Sequence, residues 1–190
     1  MIDSEKALKI RLLALDVDGV LTDNGVYLGL VNGVSVEFKK FDIQDGLGLA
    51  VLKAMGIEVA LVSGRLSEAT SLRAAELRIA EVIQEPSARK LPAFADLLRR
   101  RGLGWEEVAY VGDDLADLPL LTRVGLPLAV ANAVEEVKRA AVYVTRASGG
   151  SGAVREVVET LLKARGSWDD GVRVYLEERG EYRARSDRAG

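Results

Sequence analysis

The sequence contains no cysteine and no histidine in its 190 residues. Without cysteine, the chain forms no disulfide and offers no thiolate as a nucleophile or metal ligand. Without histidine, it lacks the commonest general base and the commonest nitrogen ligand for metals. Any chemistry must therefore use carboxylates, hydroxyls, lysine, arginine and metals that are bound through oxygen.

An excess of positive charge and long apolar runs are also missing. The 26 Lys and Arg residues against 29 Asp and Glu residues give a net charge of −3, which argues against a nucleic-acid partner because phosphate backbones bind to basic surfaces. No run approaches the roughly 18 apolar residues of a membrane span. The first residues also lack the basic and apolar regions of a secretory signal. We therefore expect a cytoplasmic protein that binds neither nucleic acid nor membrane.

Apolar segments of strand length alternate with helical patterns along the chain. Strands are expected at 10–15, 58–62, 108–111, 128–130 and 143–144, and helices at 46–55, 67–77, 91–101, 115–121, 134–140 and 153–164. This alternation predicts a doubly wound, mostly parallel α/β sheet with helices on both faces. We expect one domain over residues 1–165, with its ligand site at the carboxyl ends of the strands.

Two segments depart from this alternation. Residues 25–40 contain two β-rich runs around Asn32-Gly33, a pattern that predicts a projecting β-hairpin. Residues 166–190 are rich in glycine and charge and poor in apolar side chains. They are predicted to form a flexible C-terminal tail, or one ordered only by a partner surface.

Two acidic clusters follow predicted strands. Asp16 and Asp18 end the first strand, and Asp113, Asp114 and Asp117 follow the strand at 108–111. Either cluster alone could be a polar turn, and an acid at a helix start is often an N-cap. However, carboxylates that converge at one sheet edge cannot all stay ionised without a cation. In a chain without histidine or cysteine, their hard oxygen ligands favour Mg²⁺.

Two further segments supply a hydroxyl group and a cation. Ser63 and Gly64 follow the strand at 58–62 and could offer a hydroxyl and backbone N–H groups to a phosphate, although in isolation a capped helix explains them better. Lys90 begins a predicted helix, where its charge opposes the helix macrodipole. A lysine at that position indicates an anionic ligand or carboxylates nearby.

Together these motifs resemble those of the haloacid dehalogenase-like phosphatases. The motifs are Asp-x-Asp-Gly-x-x-Thr-Asp at 16–23, Ser63, Lys90 and Gly-Asp-Asp-x-x-Asp at 112–117. Further segments are similar to the 3-deoxy-D-manno-octulosonate 8-phosphate phosphatase family: Gly25-Val26-Tyr27 with the hairpin, 41–48, Ser63-Gly64-Arg65 and 143–156. The resemblance implies a Rossmann-like fold without an inserted cap domain, a homotetramer and a place in lipopolysaccharide biosynthesis.

Chain length independently argues against a cap domain. The segments between Asp18 and Ser63 and between Ser63 and Lys90 are already occupied by the predicted hairpin, helices and a short strand. Neither segment leaves room for a separate domain of about 50 residues.

The resemblance also implies roles for single residues. Asp16 would be the nucleophile that forms an aspartyl-phosphate, and Asp18 the acid and base. Mg²⁺ would be held by Asp16, the Asp18 backbone carbonyl and Asp113, with Asp114 and Asp117 in support. Contacts to the substrate would come from Asp18, Asp45, Gly46, Ser63, Gly64, Arg65, Arg73 and Lys90. For Arg65 and Arg73, a solvated helix face is nearly as good an explanation.

The implied function is Mg²⁺-dependent hydrolysis of a phosphorylated sugar acid, 3-deoxy-D-manno-octulosonate 8-phosphate, to the sugar acid and phosphate. Alternatives are a phosphatase for another ulosonic acid phosphate or sugar phosphate, and a non-catalytic tetramerisation module. A receiver-like signalling domain carries its phosphoacceptor on an internal strand. The acidic pair on the first strand disfavours that class.

The chain departs from its relatives at two positions near the expected sugar site. Many family members carry a basic residue where Gln44 and Ala50 stand. A basic side chain at either position would bind the carboxylate of the substrate, and this chain has none there. We therefore expect modest activity on the octulosonate 8-phosphate or a preference for another phosphosugar. Lys53, one helical turn after Ala50, is a candidate substitute, and Arg173 or Arg179 in the tail could also meet an anionic substrate.

Overall fold

A computed structural model describes residues 2–180; Met1 and residues 181–190 lie outside the described residues. The strands are β1 (Leu12–Leu15), β2 (Tyr27–Val31), β3 (Val34–Phe38), β4 (Glu58–Ser63), β5 (Glu81–Gln84), β6 (Val108–Gly112), β7 (Leu126–Ala129) and β8 (Tyr143–Val144). The helices are α1 (Ser4–Lys9), α2 (Ile43–Ala54), α3 (Glu68–Glu76), α4 (Lys90–Arg101), α5 (Leu118–Leu121), α6 (Glu135–Ala140), α7 (Ala153–Ala164) and α8 (Trp168–Glu178).

The centre of the fold is a six-stranded sheet in the order β5-β4-β1-β6-β7-β8. Every strand pair in this sheet is parallel. One group of contacting helices comprises α1, α2, α7 and α8, and a second comprises α4, α5 and α6. The predicted doubly wound α/β fold is thereby confirmed. Over residues 2–180, no helix is both long and apolar enough to cross a lipid bilayer.

The register of β1 with its two neighbouring strands determines where the polar residues at the strand ends lie. Leu15, the last residue of β1, lies opposite Leu61 of β4 and Val111 of β6. Because all three strands run in the same direction, the residues that follow them reach the same edge of the sheet. Asp16, Ser63 and Asp113 lie at these strand ends.

The core on one face of the sheet is built by α7. Five of its side chains, spaced three or four residues apart, are completely buried: Val154, Val157, Val158, Leu161 and Leu162. This is the apolar stripe that the periodicity predicted, and α7 packs along α2. Burying an aliphatic side chain of this size contributes about 1.5–3 kcal/mol, so the stripe holds α2 and α7 together.

The hairpin lies outside the main sheet. β2 and β3 pair in antiparallel register around Asn32-Gly33, and both turn residues have positive φ, 52° and 78°. This turn conformation suits asparagine and glycine, so the local sequence explains the hairpin. Its apolar side chains remain largely exposed in the single chain: Tyr27, Leu28, Leu30, Val31, Val34 and Phe38.

The segment after residue 166 differs from the predicted flexible tail. Residues 168–178 form α8, which packs on α2 and α7. The physical reason is that Trp168 and Tyr175 pack against the core from one face of this segment, on either side of the buried Gly171. A Cβ atom at Gly171 would lie 3.1 Å from atoms of Met55 and Val51, so glycine permits the close approach of α8. The rest of the predicted tail, 181–190, lies outside the described residues.

Candidate active site

Lys90 joins two acidic residues from different strands. Its Nζ atom lies 2.8 Å from Oδ1 of Asp16, which follows β1, and donates a 2.6 Å hydrogen bond to Oδ1 of Asp117. All three side chains are almost completely buried. A buried ammonium group requires anionic partners, so this arrangement explains a lysine at the N-terminus of α4.

Three carboxylates meet around this lysine. Oxygen atoms of Asp16, Asp113 and Asp117 all lie within 4.8 Å of one another. With all three ionised, the single charge of Lys90 leaves two negative charges without compensation, which matches the charge of a divalent cation. Oδ1 of Asp113 is buried and has no hydrogen-bond partner. The donor set is oxygen alone, so the cluster fits Mg²⁺.

The pKa values of the cluster reflect this excess of negative charge. Burial, followed by the charge of Asp117, raises the pKa of Asp16 well above its ordinary value. The same two causes raise the pKa of Asp113 to about 7. Burial by itself lowers the pKa of Lys90, but attraction to Asp16 and Asp117 outweighs it and raises that pKa. Further positive charge would therefore favour the fully ionised cluster.

Asp117 braces the cluster through both of its oxygen atoms. Oδ1 accepts hydrogen bonds from Lys90 and, at 2.7 Å, from the Tyr110 hydroxyl. Oδ2 accepts from the backbone N–H groups of Asp113 and Asp114, at 2.9 and 3.3 Å. The sequence analysis missed Tyr110. The available signal was a tyrosine in an otherwise aliphatic buried strand, because a buried hydroxyl needs a partner.

Gly19 lies directly against Asp113. Its φ is +92°, and a Cβ atom there would overlap Oδ2 of Asp113. Asn132, also missed, clamps this loop, since its amide donates to the Gly19 carbonyl at 2.9 Å and accepts from the Gly149 N–H at 2.7 Å. The loop that carries Asp18 is therefore held against the second acidic cluster.

The turn after β4 reaches the same place. Oγ of Ser63 is buried and exchanges hydrogen bonds with the N–H and carbonyl groups of Arg65. A Cβ atom at Gly64 would lie 3.7 Å from Cε of Lys90. The predicted phosphate-binding residues Ser63, Gly64 and Lys90 are thus neighbours.

Asp18 has a lysine partner that the sequence analysis missed. Nζ of Lys39 donates a 2.6 Å hydrogen bond to Oδ1 of Asp18, and the Lys39 side chain is completely buried. Lys39 directly follows β3, the second strand of the hairpin. The sequence pattern of the hairpin shows only its strands and turn, so it gave no signal that its end returns to the first acidic loop.

Arg65 is held by a residue of the hairpin. Its guanidinium donates a 2.9 Å hydrogen bond to Oε2 of Glu37 and is about half exposed. The other oxygen, Oε1, accepts a 2.6 Å hydrogen bond from the Ser67 hydroxyl. The Ser67 hydroxyl, chiefly, and the nearby cations lower the pKa of Glu37. The Arg65 side chain is therefore partly exposed, and its charge is paired with that of Glu37.

Arg73 and Gly46 contact each other instead of the carboxylate cluster. Arg73 donates at 2.9 Å to the Asp42 carbonyl and pairs with Glu76. A Cβ atom at Gly46 would lie 2.9 Å from the Arg73 guanidinium. These contacts fasten α3 to the start of α2, which is a structural use of both predicted substrate residues.

Asp45 is completely buried at the interface of α2 and α7. Oδ1 accepts a 2.8 Å hydrogen bond from the N–H of Arg155, in the first turn of α7, whereas Oδ2 has no partner. Burial raises the pKa of Asp45 to about 6, although hydrogen bonds from the Arg155 and Val154 N–H groups oppose the shift. Its described contacts link two helices.

Lys53 does not substitute for the basic residues that are missing at positions 44 and 50. Its Nζ donates to the Leu77 carbonyl, which follows the C-terminus of α3. Residues Gly56 and Ile57, which precede β4, line the same small cavity as Lys53. Lys53 therefore lies at the amino edge of the sheet, opposite the carboxylate cluster.

A groove of about 730 Å³ lies between β3 and α3, beside Lys39 and Arg73. We refer to it as the hairpin groove; its apolar walls are Val34, Val36, Phe38, Phe41, Leu66 and Leu72. Glu37, Lys39 and Ser67 also line it. The groove therefore joins the exposed hairpin to the residues around Asp18.

Comparison with known proteins points to one family. The profile of the haloacid dehalogenase-like hydrolases matches residues 74–157. The 3-deoxy-D-manno-octulosonate 8-phosphate phosphatase of Escherichia coli K12 is 48% identical over 165 residues, which cover 87% of this chain and 86% of that protein.

Solved structures show the same similarity. The crystal structure of the Moraxella catarrhalis 3-deoxy-D-manno-octulosonate 8-phosphate phosphatase, in complex with magnesium, phosphate and KDO, matches with a TM-score of 0.82 and 40% identity. The match covers 89% of this chain and 95% of that one. The cobalt-bound deoxy-D-mannose-octulosonate 8-phosphate phosphatase of Haemophilus influenzae matches with a TM-score of 0.80 and 35% identity, over 88% and 98% of the two chains.

Proposed function

The chain belongs to the 3-deoxy-D-manno-octulosonate 8-phosphate phosphatase family of the haloacid dehalogenase-like hydrolases, and we propose that it is a Mg²⁺-dependent phosphatase for 3-deoxy-D-manno-octulosonate 8-phosphate. The products are 3-deoxy-D-manno-octulosonate and phosphate. The observation that carries the proposal is the buried group of Asp16, Asp113, Asp117 and Lys90 at the carboxyl edge of the sheet, whose excess of negative charge a divalent cation balances.

Asp16 is the nucleophile in this proposal. Its carboxylate attacks phosphorus, the bond from phosphorus to the sugar oxygen breaks, and an aspartyl-phosphate forms. Asp18 gives its proton to the departing sugar oxygen. It then takes a proton from the water that attacks the aspartyl-phosphate, which releases phosphate and restores Asp16.

Asp16, the Asp18 backbone carbonyl and Asp113 are the proposed Mg²⁺ ligands. The buried Asp113 oxygen without a partner supports this assignment. Positive charge against the phosphoryl oxygens is the chemistry that the bound cation supplies. Asp117, whose two oxygens are already engaged by four donors, acts in support by holding Lys90 and the Asp113 backbone.

Ser63, Gly64 and Lys90 bind the phosphoryl group in this proposal. Lys90 is buried beside the nucleophile, where its charge acts in a medium of low dielectric and is not screened by water. Phosphoryl transfer depends mainly on positioning and charge stabilisation, so a hydroxyl, a glycine turn and one ammonium group are sufficient. Arg65 is the proposed contact to the sugar acid. Its guanidinium would leave Glu37 and bind the carboxylate of the substrate instead.

A different phosphosugar is the second candidate substrate. The observation that favours it is the pair Gln44 and Ala50, for which Lys53 gives no replacement because it is bound to the Leu77 carbonyl. A non-catalytic module has less support, since the chain retains Asp16, Asp18, Lys90 and Asp113.

Self-association in a cytoplasmic homotetramer is part of the proposal. A lone two-stranded hairpin is marginally stable, and both faces of this one expose apolar side chains, with Leu28 and Leu30 about three-quarters accessible. The hairpin groove continues this apolar surface beside α3. Large contiguous apolar patches of this kind mark interaction surfaces, and a neighbouring subunit would also cover the site, which has no inserted cap domain.

The test is a phosphate-release assay with Mg²⁺ over ulosonic acid phosphates and simple sugar phosphates. Asp16→Asn retains the side-chain shape but removes the nucleophile, so we expect release to fall to background while thermal unfolding shows a folded protein. Undiminished turnover by this variant would refute the aspartyl-phosphate mechanism. Release from every substrate except the octulosonate would support the second candidate.

A further inference from the structure

We propose that Lys39 is a positioning residue that fixes the carboxyl group of Asp18 for proton transfer to the leaving oxygen. The proposal rests on the phosphatase function argued above. It adds a residue of the hairpin to the machinery of the reaction.

The contact between Lys39 and Asp18 is short and sheltered. Nζ lies 2.6 Å from Oδ1 of Asp18, the Lys39 side chain has no accessible surface, and that of Asp18 retains 17% of its own. A lysine gives up side-chain entropy and its hydration when it is fixed in this way. Such a burial needs compensation, which the hydrogen bond to Oδ1 of Asp18 and the negative charge of Glu37 provide.

Lys39 is also held from its other side. Nζ lies 3.6 Å from Oε1 of Glu37, and Glu37 is fixed in turn by hydrogen bonds from Ser67 and Arg65. Ser67 caps the N-terminus of α3. The ammonium group therefore has a position set by the hairpin and α3 together, and it does not depend on Asp18 alone.

This geometry leaves one oxygen of Asp18 for the reaction. Oδ1 accepts a hydrogen bond from Lys39. Oδ2 is therefore the atom that carries the proton when Asp18 acts as the acid and donates it to the sugar oxygen. A general acid must lie within hydrogen-bond distance of the oxygen that it protonates. A displacement of about 1 Å can cost on the order of 10²-fold in rate. Without the ammonium group, the Asp18 side chain loses the contact that fixes its rotamer.

Leaving groups distinguish this role from a general structural one. A sugar alkoxide needs a proton as it departs, whereas 4-nitrophenolate leaves as a stable anion. Loss of the acid geometry therefore slows cleavage of a sugar phosphate and spares cleavage of 4-nitrophenyl phosphate. A damaged site slows both.

The experiment uses rapid-quench single turnovers of the full chain with Mg²⁺, which report the cleavage step separately from hydrolysis of the aspartyl-phosphate. The substrates are the octulosonate 8-phosphate and 4-nitrophenyl phosphate. The variants are Lys39→Met, Lys39→Arg and, as the matched control, Lys40→Met at the exposed neighbouring position. Thermal unfolding checks that each variant is folded, and Lys39→Gln replaces the Met variant if that one is not.

We expect Lys39→Met to lower the cleavage rate of the octulosonate 8-phosphate at saturating substrate at least tenfold. The substrate concentration for half-saturation should stay within about threefold of wild type. The cleavage rate of 4-nitrophenyl phosphate should also stay within about threefold. Lys39→Arg should recover part of the loss, and Lys40→Met should resemble wild type. Equal losses on both substrates, a change confined to half-saturation, or no change would each overturn the proposal. If the wild-type chain itself released no phosphate from either compound, the proposed function would fail first.

Discussion

Gly19 and Asp113 lie so close that a single methyl group could not fit between them. A Cβ atom on Gly19 would overlap Oδ2 of Asp113, although the two residues belong to acidic clusters at opposite halves of the sequence. The contact brings the Asp18 loop and the Asp113 carboxylate to one point. It also makes Gly19 the residue at which the geometry of both clusters can be disturbed together.

Gly19→Ala should therefore damage activity more than its small size suggests. The methyl group must displace Asp113, and the positive φ of 92° adds strain of about 1–3 kcal/mol. We expect phosphate release to fall at least tenfold and the melting temperature to drop. Gly33→Ala is the matched control, because Gly33 also has positive φ, 78°, but has no atom within 4 Å of a Cβ position. Equal activity losses in both variants would show that backbone strain, not the contact with Asp113, matters.

Removal of the cation should abolish activity reversibly. Treatment with EDTA is expected to stop phosphate release and Mg²⁺ to restore it, because a divalent cation favours the ionised form of the carboxylate cluster, including the Asp16 nucleophile. Asp113→Asn should raise the Mg²⁺ concentration for half-maximal activity at least tenfold. Asp114→Asn is the control, since the Asp114 side chain is exposed and accepts from the N–H of Leu115. Full activity in EDTA would contradict the proposed metal dependence.

Asp45 should make stability depend on pH. Its pKa is raised from 3.8 to about 6, so the folded state binds more protons than the unfolded state between these values. The free energy of unfolding then falls as pH rises from about 4 to 6, by up to about 3 kcal/mol for this shift. The charged groups nearest the carboxyl group include Asp42, which raises the pKa further, and Arg73, which opposes the rise.

The measurement is urea unfolding of wild type and Asp45→Asn at several pH values. The variant retains an oxygen for the N–H of Arg155 and cannot ionise. Its stability relative to wild type should therefore increase from pH 4 to pH 6 and stay constant above. Asp23→Asn, at an exposed position, should show no such trend. Parallel curves for wild type and Asp45→Asn would contradict the raised pKa.

Basic side chains at positions 44 and 50 should improve octulosonate turnover. One charge-assisted contact to a carboxylate contributes about 1.5–3 kcal/mol, so we expect Gln44→Arg with Ala50→Arg to raise kcat/KM on the octulosonate 8-phosphate about tenfold or more. Lys53→Met is the control; its effect should be on stability alone, because Lys53 is bound to the Leu77 carbonyl. If wild type already matches the double variant, other residues bind the carboxylate.

Charge on the hairpin should disrupt self-association. Leu28 and Leu30 lie on one face of β2, and both are largely exposed in the single chain. If this face is buried between subunits, Leu28→Glu with Leu30→Glu places carboxylates in an apolar contact and should shift the mass measured by light scattering from tetramer to monomer. Leu8→Glu, at an exposed position on α1, should leave the mass unchanged. A monomeric wild-type chain at micromolar concentration would contradict the tetramer proposal.

The sequence by itself determined the class of fold and the chemistry available to the site. Alternating strand and helix patterns define βαβ units, and the topology of parallel strands brings their carboxyl ends to one edge whatever the details of packing. The sequence alone therefore predicts that Asp16, Ser63 and Asp113 lie at the same edge of the sheet. The absence of histidine and cysteine narrowed the chemistry to oxygen ligands and lysine.

Only the tertiary structure decided which side chains meet across loops. Lys39 contacts Asp18 because of the path that the hairpin takes, and strand or helix periodicity does not encode that path. The same is true of Arg65, which pairs with Glu37, and of Asp45, which is buried against α7. For α8, apolar residues spaced along a charged segment become a helix face only once α2 and α7 offer a surface to cover them. Local patterns set secondary structure, whereas contacts between distant residues depend on how the elements pack.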